Sequence, residues 1–257
     1  MENKVPKKRQ ATRSFSASLR VGGLLLILLV IALTVASMLG SERLPLFDLN
    51  EQQRSIFYDI RLPRILLGAC VGASLAVAGA GLQSLLRNPL AEPYLLGVSN
   101  GAALGTMLAF VFFERFEFSR PVMAFAGAAL ASFVVYQMAK SRAGMNVERL
   151  VLSGVIVTTF LSSIIVMLTT LLDAAKLRSF TFWLLGDLSQ ATRNGFYLSL
   201  AAAIIGTAIL MWQSRALNLM MIGERDALDF GVEVDRVRLL VFGASSLVVG
   251  AAVAASG

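Results

Sequence analysis

Seven stretches of this chain contain no charged residue: 21–41, 65–86, 93–113, 121–139, 150–172, 194–214 and 239–257. All 23 Lys and Arg and all 16 Asp and Glu lie before or between them. A helix rises about 1.5 Å per residue, so roughly 20 apolar residues cross a hydrocarbon layer of about 30 Å. Each stretch has that length. The apolar residues run continuously instead of alternating, which excludes a transmembrane β-barrel. The expected fold is all-α: a polytopic transmembrane helical bundle with seven spans.

Composition narrows the chemistry. Charged residues make up 15% of the 257, against about 25% in soluble domains. There is no histidine, and Cys70 is the single cysteine. An internal disulfide is excluded, and zinc or haem sites lose their usual ligands. Ser-His-Asp and Cys-His nucleophile arrangements are unavailable. No GxxxxGK[ST] loop is present, so nucleotide binding by that route is absent too. The net charge of +7 reads as basic loops facing the cytoplasm, with no nucleic-acid partner.

The basic residues also set the orientation. Residues 1–20 carry six Lys or Arg against Glu2, which places this segment in the cytoplasm ahead of an uncleaved first span. Alternation then puts 87–92, 140–149 and 215–238 inside. The inner segments hold 14 basic residues and the outer ones nine. The domain organisation is a basic N-terminal segment, 1–20, and a membrane domain, 21–257, with its largest inner loop at 215–238. Among the outer segments, 42–64 holds Leu44-Pro45-Leu46-Phe47-Asp48 and then a short helix to Arg61. Residues 173–193 include Phe180–Gly186, too short to span and expected to be interfacial or re-entrant.

Small residues at four-residue spacing, Gly68 and Gly72 and then Gly97, Gly101 and Gly105, point to close helix packing. Four other features bear on function. Arg61-Leu62-Pro63-Arg64 sets two guanidinium forks at the outer mouth of the second span, suited to carboxylates on a partner or to lipid headgroups; spacing alone favours the headgroups. Asn88 and Pro89, with Pro93, break helix at the inner turn, and Asn100 follows early in the third span. Thr158, Thr159, Ser162 and Ser163 form a hydroxyl stripe that either lines a cavity or bonds back to its own helix. In the largest inner loop, Gly223 to Gly231 reads as a short helix closed by a left-handed glycine. Ala227, Leu228 and Phe230 would give it an apolar patch, flanked by Glu224 and Asp226, for a cytoplasmic partner.

The strings RLPR, GLQSLLRNPLAEPYLLGVSNGAALG and GERDALDFGV, in this order and spacing, resemble the FecCD-type permeases of ABC importers for ferric siderophores, haem and cobalamin. The similarity covers residues 20 to 257. It implies a permease paired with a second copy, cytoplasmic ABC ATPase subunits that bind ATP and Mg, and an extracytoplasmic solute-binding protein. It further implies docking of that protein at Arg61 and Arg64. A pathway would be lined by Asn100, Thr158, Thr159, Ser162 and Ser163. ATPase coupling would fall at Gly223, Glu224, Ala227, Leu228 and Gly231. The turn of Asn146, Val147 and Glu148 falls at the family's cytoplasmic gate, where small polar residues are common. Family members generally have ten spans. The chain stops after seven, which implies a C-terminal truncation.

The expected function is therefore the permease subunit of a type II ABC importer in the bacterial inner membrane. It would bind no cofactor of its own and perform no bond chemistry. The alternatives are a secondary transporter driven by an ion gradient, an inactive truncated permease and, last, an intramembrane enzyme. The first and last would place ionisable groups inside the spans, and all seven stretches lack them.

Overall fold

The computed structural model describes residues 7–40, 50–113, 119–141 and 144–257. Residues 1–6 of the basic segment and 41–49 of the first outer loop, with its Leu44–Asp48 run, lie outside them. The chain divides into two units, Met1–Ile65 and Leu66–Gly257.

In the first unit, α1 (Lys7–Met38) carries no charge from Val21 onward, and none of residues 19–38 is buried. The short helix expected before Arg61 is α2 (Glu51–Ser55). Asn50 caps it, accepting from the Gln53 N–H, while the Gln53 side chain accepts from the Asn50 N–H. The helix does not stop there. It passes through a π turn, Ile56–Arg61, into α3 (Leu62–Leu86), giving 36 helical residues without a break. Pro63 accounts for the π turn. A proline cannot donate to the carbonyl four residues back and its ring collides with it, whereas a widened turn relieves both problems. The Leu62 N–H accordingly donates five residues back, to Phe57 O.

In the second unit, the turn after α3 leads to a 3₁₀ turn, Pro93–Leu96, and then to Gly97, whose φ of +76° is left-handed. The uncharged stretch 93–113 is thereby split. Only α4 (Val98–Phe112) is α-helical, 15 residues or about 22 Å, short of a full crossing. Among the described residues, six other helices are long and apolar enough to cross a membrane, so the seven stretches yield six full-length helices and one short one there.

α5 (Ser119–Ala139) packs along α4 at backbone contact. A Cβ on Gly101 would run into the Gly127 carbonyl, and one on Gly105 into the Met123 carbonyl. This glycine spacing serves helix packing as the sequence implied. Gly72 does not: among the described residues nothing lies within 4 Å of where its Cβ would be. Beyond α5, Lys140–Ser141 and Gly144–Met145 (β1 and β2) pair antiparallel, Lys140 opposite Met145. This hairpin leads directly into α6 (Val147–Thr169).

The half-length segment after α6 is α7 (Ala174–Leu184), N-capped by Asp173. Its Phe180 is buried between Phe110 of α4, edge-on at 6.3 Å, and Trp183, stacked at 6.3 Å. The remaining helices are α8 (Arg193–Trp212), α9 (Ser214–Ile222), α10 (Glu224–Asp229) and α11 (Val234–Ser256). α11 is the centre of this unit, lying against α5 and α8 and burying Val241, Val248 and Val249.

Candidate functional site

The hydroxyl stripe of α6 divides into two faces. Asn100 Nδ2 donates to Thr158 O at 3.0 Å and to Ser162 Oγ at 2.6 Å. The polar amide early in α4 is thus satisfied by α6, and Thr158 and Ser162 sit half-buried at that contact. Thr159 and Ser163 lie on the other side of α6, exposed. Their hydroxyls donate to the carbonyls of Val155 and Thr159, four residues back, at 2.9 and 3.0 Å. Of the five residues assigned to one pathway, three form an interhelical lock and two form an outward polar strip.

Gly97 sits against this lock. A Cβ there would meet Val157 at 3.3 Å and Thr158 at 3.6 Å, so its left-handed backbone and its closeness to α6 both favour glycine. The inner turn before it is built by Asn88. Its Oδ1 accepts from the Leu90 N–H at 2.9 Å and its carbonyl from the Ala91 N–H at 3.0 Å. Pro89 follows in the exposed turn, and Pro93 opens the 3₁₀ turn, where no N–H is required.

Arg61 does not extend freely. One guanidinium nitrogen donates to Ser37 O at 2.9 Å and to Met38 O at 3.3 Å, the carbonyls ending α1. A cation at this position satisfies orphan acceptors and complements the helix dipole. Arg64, three residues on, is half-buried. The sequence suggested two outward forks, but at least one is committed to the first helix.

Asn146 is the N-cap of α6, its Oδ1 accepting from the N–H groups of Glu148 at 2.7 Å and Arg149 at 3.3 Å. Val147 is the first helical residue, and Glu148 lies exposed in the first turn, where the dipole favours an acid.

The inner helix suggested between Gly223 and Gly231 is α10. Gly231, at φ +78°, closes it: the Gly231 N–H donates to Leu228 O at 2.8 Å and the Val232 N–H to Ala227 O at 3.0 Å. The apolar patch needs one correction. Ala227 is fully buried in the α11 core, because the C-terminal cap folds the chain back over it. The exposed apolar residues are Leu228 and Phe230, with Met221 and Ile222 at the end of α9. Gly223 has an extended backbone, and Glu224 Oε2 lies 2.7 Å from Arg238 Nη2. Sequence reasoning passed over Arg238 by starting the last span at residue 239. In the structure α11 begins five residues earlier and buries that arginine. The available signal was Asp235 three residues before it, a helical spacing that already favours an ion pair.

The FecCD transport family matches residues 24–257. The chain is 38% identical over 211 residues to the cobalamin import system permease BtuC of Halobacterium salinarum, covering 82% of this chain and 57% of that one. It is 36% identical over 249 residues to the hemin transport system permease HmuU of Yersinia pestis, covering 93% and 74%. A Bacillus subtilis Fe(3+)-citrate import system permease, YfmD, is 30% identical over 255 residues, covering 96% and 76%. Among solved structures, an inward-facing metal-chelate type ABC transporter matches with a TM-score of 0.83 at 30% identity, over 93% of this chain and 76% of that one. The chain thus spans between about half and three quarters of the length of these relatives. With its apolar helices in this order and a match across nearly all its length, it is a multi-pass inner-membrane protein that belongs to the FecCD transport family.

Proposed function

We propose that this chain is the permease subunit of an ABC importer that moves an iron–siderophore, haem or cobalamin across the inner membrane. Separate ATPase subunits would hold the nucleotide and drive the cycle. The observation that carries this reading is α10. It is a short helix capped by a left-handed glycine, with Leu228 and Phe230 exposed beside a buried Ala227. A connection between two membrane helices needs no such element, whereas a helix seated on a second protein does. Its position matches the coupling loop that the sequence resemblance implies.

In this reading the N-terminus and α10 lie in the cytoplasm. The ATPase binds α10 differently in its nucleotide states, and that difference in affinity shifts the permease between outward and inward access. Thr159 and Ser163 supply hydroxyls on an otherwise apolar face, suited to a bulky solute held weakly. A second copy would close the pathway on that side, with Asn146–Glu148 at its cytoplasmic end. An extracytoplasmic solute-binding protein would use Arg61 and Arg64. The absence of charge from all seven stretches argues against proton- or ion-coupled transport.

The test is recovery of the N-terminally tagged chain in mild detergent. Recovered partners are identified by mass, and uptake of ferric citrate, haemin and cyanocobalamin is then measured in proteoliposomes. An ABC ATPase in the complex and uptake that follows ATP are expected. Uptake that follows an imposed ion gradient without ATP would sink the importer reading.

A further inference from the structure

Arg238 joins three elements that lie far apart in the chain. Its Nη2 meets Glu224 Oε2, at the start of α10, at 2.7 Å. Its Nη1 donates to the Met145 carbonyl at 2.7 Å, in the residue just before the Asn146 cap of α6. Asp235, one turn earlier on α11, lies 3.7 Å from Nη1, and its Oδ1 accepts from the Met145 N–H at 3.0 Å. Met145 is thus held by α11 at both of its backbone groups, through Arg238 at its carbonyl and Asp235 at its N–H. Gly144 permits this approach, since a Cβ there would fall on the Asp235 carboxylate.

The arginine is only 8% exposed, and its Nε–H has no acceptor among the described residues. Burying a charge is costly unless it is paired, and both arms of this guanidinium are. Beside the cluster lies a groove of about 500 Å³ lined by Glu224, Leu228, Glu233 and Arg236. Ala227 anchors α10 by burial, and the polar tie of its first residue, Glu224, to α11 is the Arg238 guanidinium. A guanidinium is a rigid planar fork whose two arms keep a fixed separation, so a shift of Glu224 is transmitted to the Met145 carbonyl.

We infer that Arg238 is a positioning residue that makes α10 and the first turn of α6 move as one, carrying displacement of the coupling helix to the Asn146–Glu148 turn. The transport half of this statement rests on the importer reading above; the mechanical half does not.

Two measurements test it on the full chain. Spin labels at Asp229 and Arg149, both exposed, report the separation of α10 from the start of α6 in lipid nanodiscs, and labels at Phe112 and Val122 serve as a reference away from the cluster. Arg238→Gln is expected to broaden the 229–149 distances and leave 112–122 unchanged. Arg238→Lys is expected to do the same to a lesser degree, since an ammonium is a single point charge and cannot hold both acceptors in a fixed fork. In the reconstituted complex, Arg238→Gln is expected to keep ATPase association and hydrolysis while uptake falls on the order of tenfold, the usual scale of coupling between sites.

Unchanged 229–149 distances, or broadening of both pairs, would overturn the inference. So would full uptake, or loss of ATPase association, in the Gln variant. If the native chain recovers no ATPase, the importer reading fails, and the clamp stands or falls on the label distances alone.

Discussion

α1 and α11 are both long apolar helices without charge through their central turns, yet none of residues 19–38 is buried and more than half of the apolar window of α11 is. Their side chains explain the difference. α1 runs Leu24-Leu25-Leu26-Ile27-Leu28-Leu29-Val30-Ile31, bulky on every face. α11 interleaves Gly243, Ala244, Ser245, Ser246, Gly250, Ala251 and Ala252 with its valines. In lipid there is no hydrophobic drive between helices, and what favours association is close fit. Small residues let α8 and α5 approach α11 within its unit, whereas the bulky side chains of α1 offer no such close fit.

The strongest way to break this comparison is a charge in the apolar run. Ile27→Arg in α1 is expected to cost about 3 kcal/mol of insertion, the usual scale for arginine at mid-span; a glycosylation-mapping assay reads it. Next comes the fit itself. A side chain on Gly206 of α8 would strike Val248 of α11, so Gly206→Leu is expected to remove about 3 kcal/mol of stability by overpacking. Unchanged thermal unfolding in nanodiscs would show that α8 and α11 need not meet closely. Val249→Ala, at a fully buried position, is expected to cost about 1 kcal/mol through lost contacts. Leu26→Ala in α1 is expected to change stability by less than about 0.5 kcal/mol; a larger loss in the same unfolding assay would mean that bulky side chains alone can give a helix of this kind a close fit.

The comparison also explains what could be read from the chain beforehand. The absence of charge marks every apolar helix because the bilayer penalises charge wherever a helix faces, so span positions were legible. Part of the capping was legible too: Gly231 announced the end of α10, whereas the Asn146 cap was not read, because charge alone starts that span at residue 150, beyond Glu148 and Arg149. The shortness of α4 was not, because Pro93 and Gly97 fall inside an uncharged run and hydropathy does not register backbone conformation. The burial of Ala227 was hidden because its neighbours are charged and the fold-back that covers it depends on Val232. Arg238 was missed for a related reason: a charge beside a span reads as solvated until the loops around it are placed. The division of the α6 stripe could not be seen from spacing, since Thr158 and Thr159 differ only in which of them meets Asn100.

The grip of Arg61 on Ser37 and Met38 turns an outer contact into a competition. On the importer reading proposed above, an acidic group that drew this Nη1 to itself would take it from the last carbonyls of α1, and binding there would be linked to fraying of the final turn of α1. By reciprocity, anything that shortens or unwinds the end of α1 raises the affinity of that site for a carboxylate. On that same reading, a residue of this kind would act as a gauge of helix integrity, letting a docked protein sense the state of the first span without touching it.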